Sequence, residues 1–187
     1  LINNYNNPKV ITVSDYSRWS LNYFMSEIPA ENVSILYSPI LNYMQNDKTD
    51  LSYLDNLSLR PEKFFLMLSA SVWQKNSYRM LKAFASLLEQ NRIPDYKVVI
   101  VGAPAAIKKV FKHPQYIYLD YLERKYLEIL LKNAHALVYP SLNEGFGYPP
   151  LEALKYGTGV IASAIGPVQE VCGKEALFFN PYSQAEM

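Results

Sequence analysis

The sequence predicts an α/β chain: a doubly wound, Rossmann-like parallel sheet preceded by the tail of another α/β domain. From Phe64 to Val168, short apolar runs rich in valine, isoleucine and phenylalanine alternate with longer segments of helical period. Such alternation implies parallel strands joined by right-handed crossovers. Half of the 187 residues are hydrophobic, enough for a substantial core. Between about Ser38 and Pro61, polar residues and scattered prolines interrupt the pattern, as an interdomain linker would.

In chain order, residues 9–14 read as a strand of β-branched residues, about 16–25 as a helix and 33–37 as a second strand. Residues 42–59 carry turn and charged residues without a period. The domain boundary is therefore placed near residue 58, with 1–58 as the tail of a first domain plus linker and 59–187 as the second domain. Strands are expected at 64–68, 98–101, 116–119, 137–139 and 160–162. Helices are expected at 76–89, 104–111 and 123–133, from Pro149-Pro150 to about Gly157, and briefly near Val168. Proline suits a helix's first turn, where its missing N–H has no bond to lose, and glycine suits the position past the end. The 76–89 helix puts Met80, Leu81, Phe84, Leu87 and Leu88 on one face, a stripe that packs a core rather than lining a cofactor.

Composition excludes several function classes. A net charge of +1 with no basic run gives no pull towards nucleic acid. Cys172 is the single cysteine, so an internal disulfide is impossible, which fits a reducing compartment. His113 and His135 lack metal-ligand spacing and an adjacent acidic cluster, and no metal is expected. No stretch reaches the roughly 18 apolar residues of a membrane span, and a signal-peptide pattern is missing. Asn32-Val33-Ser34 and Asn56-Leu57-Ser58 fit the glycosylation triplet, a pattern too frequent by chance to carry weight. The chain starts at Leu1 and stops after an apparent loop at Met187; the expectation is a piece of a longer protein.

The most informative stretch is SLNEGFGYPPLE, residues 141–152. It sets Glu144 and Glu152 on either side of a glycine turn, after an apolar strand and at a helix start. Gly145 and Gly147 can take positive φ. A helix start offers unbonded N–H groups and a positive dipole end, so the amides of Phe146 and Gly147 are candidate donors to a phosphate or sugar oxygen. Two carboxylates suit a polyhydroxy ligand. The structural alternative stays open: an acidic residue in a first helical turn commonly complements the dipole, and Gly-Phe-Gly is commonly only a turn. In open parallel sheets ligands lie beyond the carboxyl ends of the strands. The loops 69–75, 102–104 and 139–144 leave such ends and are expected to share one cleft. Lys75 is expected to open a helix just after a strand, where its ammonium can reach phosphates and the helix dipole adds to it, and Gly102 lets a nucleotide approach the backbone. Residues 118–121 offer aromatic rings for stacking or for sheet packing.

Glu144 and Glu152 match the Glu-x7-Glu motif of retaining glycosyltransferases of the GT-B fold, and SLNEGFGYPPLEALKYG resembles family 4 of that group. VITVSDYSRWSL resembles the segment closing the family's acceptor domain. Lys75-Asn76, with KAFASLL after it, resembles its basic phosphate-binding turn, and VIASAIGPVQEV its strand and loop after the Glu-x7-Glu helix. The resemblance implies the C-terminal, donor-binding half of a GT-B enzyme, whose donor is a nucleotide-diphosphate sugar and whose acceptor is a glycan or lipid-linked. It implies that Glu144 grips the donor sugar, Glu152 the ribose and Lys75 the diphosphate. Gly145, Phe146, Gly147, Gly102, Gln74, whose amide can hydrogen bond to a phosphate, and Glu170 would complete the donor contacts, with no metal or other cofactor. Gln74 and Ala70 stand where the family usually has an arginine, and glutamine cannot offset phosphate charge. The implied location is cytoplasmic or at the inner face of the membrane, with any peripheral membrane association made through the missing domain. This chain alone is expected to bind donor and transfer little. Two rivals are carried: a degenerate, non-catalytic nucleotide-sugar-binding subunit, and a sugar-nucleotide epimerase on the same scaffold.

Overall fold

The computed structural model describes residues 9–40 and 51–187. Its main body is a six-stranded, wholly parallel sheet built from β3 (Phe64–Leu68), β4 (Lys97–Val101), β5 (Tyr116–Leu119), β6 (Ala136–Tyr139), β7 (Gly159–Ser163) and β8 (Leu177–Phe179). The spatial order is β5-β4-β3-β6-β7-β8. The chain therefore winds outward from β3 to β5, returns to the other side of β3, and winds outward again to β8. β3 and β6 flank the point where the winding reverses, and a crevice opens there at the strands' carboxyl ends. Register fixes the pair, with Leu66 opposite Leu137 and Met67 opposite Val138.

Helices α3 (Ser77–Glu89) and α4 (Ala105–Val110) cover one face; α5 (Arg124–Asn133), α6 (Tyr148–Lys155) and α7 (Gly166–Cys172) cover the other. Successive strand residues point to opposite faces. Leu66 and Leu137 thus join the core under α5 to α7, while Met67 and Val138 join the core under α3. Burial on both faces explains the near-continuous apolar strands. The stripe on α3 packs as expected, with Met80, Leu81, Phe84 and Leu88 buried.

The N-terminal segment forms β1 (Val10–Thr12), α1 (Asp15–Phe24) and β2 (Val33–Ile35), with β1 and β2 paired in parallel as a separate sheet. β1 is shorter than expected because Ser14 leaves the strand to cap α1, its hydroxyl accepting the Ser17 N–H at 3.0 Å, and β2 is short in turn because its pairing extends only over the three residues of β1. Of residues 42–59, expected to lack a period, 42–50 lie outside the described residues, and 52–56 form a short helix, α2 (Ser52–Asn56). Its Leu54 is fully buried, and Tyr53 packs on Tyr126 of α5 with ring centroids 4.4 Å apart. Five residues are too few to show a period, so only tertiary packing reveals this helix. β8 was likewise unanticipated: its three residues gain strand character by pairing with β7.

Candidate functional site

Lys75 does not open α3. It closes a single 3₁₀ turn (Trp73–Lys75), and Asn76 then takes a left-handed conformation before the helix begins. Asn76 is held there by its side-chain amide, which donates to the Pro181 carbonyl at 3.0 Å. This turn aims the Lys75 ammonium across the crevice. It donates to Glu144 Oε1 at 2.7 Å and to the Tyr139 hydroxyl at 3.3 Å. The turn and the Glu144 loop are tied again where the Leu142 N–H donates to the Gln74 carbonyl at 2.7 Å. Burial opposes ionisation of Glu144, but the Lys75 ammonium and the Tyr139 hydroxyl outweigh it and hold its carboxyl below the usual range. Burial, followed by the neighbouring carboxylate, pushes the Tyr139 phenol up, so it stays a neutral donor.

The glycine turn is more specialised than its sequence suggests. Only Gly147 of the two has positive φ, at 119°, and it precedes α6. A Cβ there would meet Val171 Cγ2 at 3.3 Å and Val168 Cγ2 at 3.4 Å, so the conformation calls for glycine and the space for a side chain is tight. Gly145 keeps an ordinary φ; its carbonyl accepts the hydroxyls of Ser14 and Ser17 at 2.8 and 3.0 Å. Phe146 is buried, its ring 4.9 Å from that of Tyr148.

α6 begins at Tyr148, so Glu152 falls past its first turn rather than in it. The dipole-complementing explanation for this carboxylate therefore loses its footing, because the dipole's influence fades within that turn. Instead Glu152 is buried and gripped by a residue that the sequence reading missed. Arg124, first in α5, reaches Glu152 Oε2 through Nη1 at 3.0 Å and Oε1 through Nη2 at 2.6 Å. The same guanidinium lines a cavity of about 270 Å³ with Ser69, Gly102, Tyr121, Leu122 and Leu127. Gly102 has φ of +77° there, and a Cβ would stand 3.0 Å from the Ser69 carbonyl oxygen. Tyr118 is engaged in packing, its hydroxyl donating to the Phe111 carbonyl at 2.8 Å. Tyr121 is 94% exposed at the cavity.

The site thus has two lobes, one set by the Lys75–Glu144 pair and the other by Arg124, which lines the cavity beside Gly102 and holds Glu152 behind it. A third space of about 650 Å³ lies between α1 and the Glu144 loop, lined by Ser17, Phe24, Gln74, Asn143, Glu144 and Gly145 among others. Gln74 faces this space. Glu170, expected at the donor, is engaged elsewhere: its carboxylate accepts the N–H groups of Asp15 and Tyr16 at 2.7 and 3.1 Å and the Tyr37 hydroxyl at 2.8 Å. Burial raises its pKa, but those N–H groups and the hydroxyl prevail and lower it. Glu170 caps α1, tying the N-terminal segment to α7, and no signal local to its own sequence marks that role. His113 Nδ1 accepts the Gln115 N–H at 3.2 Å, and His135 packs edge-on against Phe65. Among the described residues no group of three or more His, Cys, Asp or Glu is placed to hold a metal ion, and no helix is long and apolar enough to cross a membrane.

The family model for glycosyl transferases group 1 matches residues 55–187. The O-antigen chain mannosyltransferase RfbU of Salmonella typhimurium is 30% identical over 165 residues, which span 82% of this chain and 42% of that protein. The serotype-specific mannosyltransferase WbdA of Escherichia coli is 32% identical over 141 residues, 70% of this chain and 17% of the relative. The chain thus spans less than half the length of these relatives. Among solved structures, that of Anabaena Alr3699/HepE in complex with UDP and glucose superposes with a TM-score of 0.78 at 16% identity, over 98% of this chain and 52% of that one. The fold is accordingly the Rossmann-like parallel-sheet half of a GT-B glycosyltransferase. With the matched region covering the whole sheet and both lobes of the site, the chain belongs to the glycosyl transferases group 1 family.

Proposed function

We propose that the crevice between β3 and β6 binds a nucleotide-diphosphate sugar and that the whole protein transfers its hexose, with retention of configuration, to a glycan or lipid-linked acceptor, as a family 4 enzyme. The observation that carries this reading is the convergence of Lys75 and Glu144, 2.7 Å apart, at the point where the sheet's winding reverses. Lys75 opposes the diphosphate charge together with the N-terminus of α6, so the chemistry needs no metal. Glu144 accepts hydroxyls of the sugar, the Phe146 and Gly147 amides meet sugar or phosphate oxygens, and Glu152 accepts the ribose hydroxyls. The base enters the cavity beside Gly102 and Tyr121. The C1–phosphate bond breaks as the acceptor oxygen bonds to C1 from the same face. The acceptor's proton passes to the departing phosphate, leaving a nucleoside diphosphate and a glycoside. The two mannosyltransferase relatives make mannose the first sugar to test.

Residues 1–58 act as the tail of the acceptor-binding domain with the interdomain linker, and residues 59–187 as the donor domain. The setting is the cytoplasm or the inner membrane face, membrane contact being made through the rest of the protein. The decisive test is transfer by the full-length protein, with the product's anomeric configuration read by NMR. Retention supports the reading; inversion, or turnover without acceptor as an epimerase shows, overturns it. Gln74 and Ala70 favour a second reading, a non-catalytic binding subunit, which predicts nucleotide binding without transfer and no gain from Gln74→Arg.

A further inference from the structure

Arg124 stands where a cation is disfavoured. It is the first residue of α5, at the positive end of the helix dipole, and the helix has no acidic residue in its first turn. Its place is explained by its partner. The planar guanidinium meets the Glu152 carboxylate as a two-pronged fork, at 2.6 and 3.0 Å, a geometry that fixes the plane of the carboxylate as well as its position. Glu152 is buried, with its side chain 11% exposed, whereas that of Arg124 is 34% exposed. The arginine lies along the cavity wall that includes Ser69, Gly102 and Tyr121. Each carboxylate oxygen has a second lone pair beyond the one the guanidinium takes. With the plane fixed, those lone pairs point in set directions.

We propose that Arg124 is a positioning residue for nucleotide recognition: its fork holds Glu152 so that the carboxylate's remaining lone pairs meet the ribose 2′,3′-diol, making the site selective for ribonucleotides. This rests on the ribose role given to Glu152 above. A lysine at the same place supplies charge but not the fork, because its ammonium is a point donor. The fork, rather than the charge, is what the selectivity needs.

The test compares binding of UDP, GDP and ADP with that of their 2′-deoxy counterparts, by calorimetry on the full chain and on Arg124→Lys, Arg124→Gln and Glu152→Gln, with Tm recorded for each. The wild type is expected to favour the ribonucleotide about tenfold, the worth of one hydrogen bond to a charged group. Arg124→Lys and Arg124→Gln are expected to bring that ratio close to one, and the lysine variant to keep the wild-type Tm more nearly. Glu152→Gln is expected to lower the ratio as well. If Glu152→Gln lowers it and neither Arg124 variant does, or if the Arg124 variants weaken both nucleotides by one factor, Arg124 only braces α5 against α6 and the inference falls. If Glu152→Gln leaves the ratio at the wild-type value, or no nucleotide binds, the underlying ribose assignment falls and the inference with it.

Discussion

Replacing Lys75 by methionine and Glu144 by glutamine, singly and together, separates the two roles of this pair. At 2.7 Å and an effective dielectric constant of about 20, the gross Coulomb attraction is about 6 kcal/mol. Desolvation cancels most of it, because the side chains are only 24% and 19% exposed. The net effect lies between the roughly 0–1 kcal/mol of a surface pair and the roughly 3–5 kcal/mol lost when a fully buried pair is broken. Lys75→Met is therefore expected to cost about 2 kcal/mol of stability, since it strands the Glu144 carboxylate. Towards a nucleoside diphosphate without sugar, the single changes act in opposite directions. Lys75→Met removes a charge-assisted contact and lowers affinity by about 10- to 100-fold. Glu144→Gln frees the ammonium from its internal competitor and removes a negative charge beside the phosphates, raising affinity about threefold or more. The pH dependence adds a signature. Because the folded-state pKa of Glu144 is depressed, its contribution to stability is complete above the unfolded value of about 4.3 and is lost as pH falls through the lower folded value. Glu144→Gln should flatten that part of the stability curve. Calorimetry with UDP, GDP and ADP, beside chemical denaturation of all four chains, measures both effects. Affinity changes of the same sign, or a Lys75→Met chain that binds as the wild type does, would refute the reasoning.

Two further substitutions probe the framework around the site. Gly147→Ala places a side chain at φ of 119° and within 3.3 Å of Val171; it should cost about 1–3 kcal/mol and lower Tm by about 3–10 °C, and an unchanged Tm in a thermal melt would show that the turn is not constrained as described. Glu170→Gln weakens the cap on α1, so the amides of Asp15 and Tyr16 should exchange faster while β3 and β6 keep their protection; hydrogen exchange that is unaltered over α1 would remove the tie between α1 and α7.

The main sheet was legible because its strands are buried on both faces and read as apolar runs. The 64–68 and 116–119 expectations coincide with β3 and β5, and Gly157 does follow α6 with a φ of +76°. α2 and β8 were not legible, since elements of five and three residues show no period and exist through packing on α5 and pairing with β7. At the site, strand-end loops announced that residues after β3 and β6 would meet, yet the sequence could not show that Lys75 and Glu144 bond directly. Glu152 was visible as half of a motif, but its partner Arg124 lies 28 residues earlier. Its one local sign was a cation at a helix start, where the dipole disfavours it. The capping role of Glu170 depends on an α1 that precedes it by 155 residues, so only the tertiary fold reveals it.

The most direct measurement is calorimetric titration of the chain with UDP, GDP and ADP and their common sugars, repeated on Glu152→Ala. Binding of one nucleotide, weakened about tenfold or more by the substitution, is the predicted result. Binding that Glu152→Ala leaves unchanged, or no binding by any nucleotide, would contradict a donor site between β3 and β6.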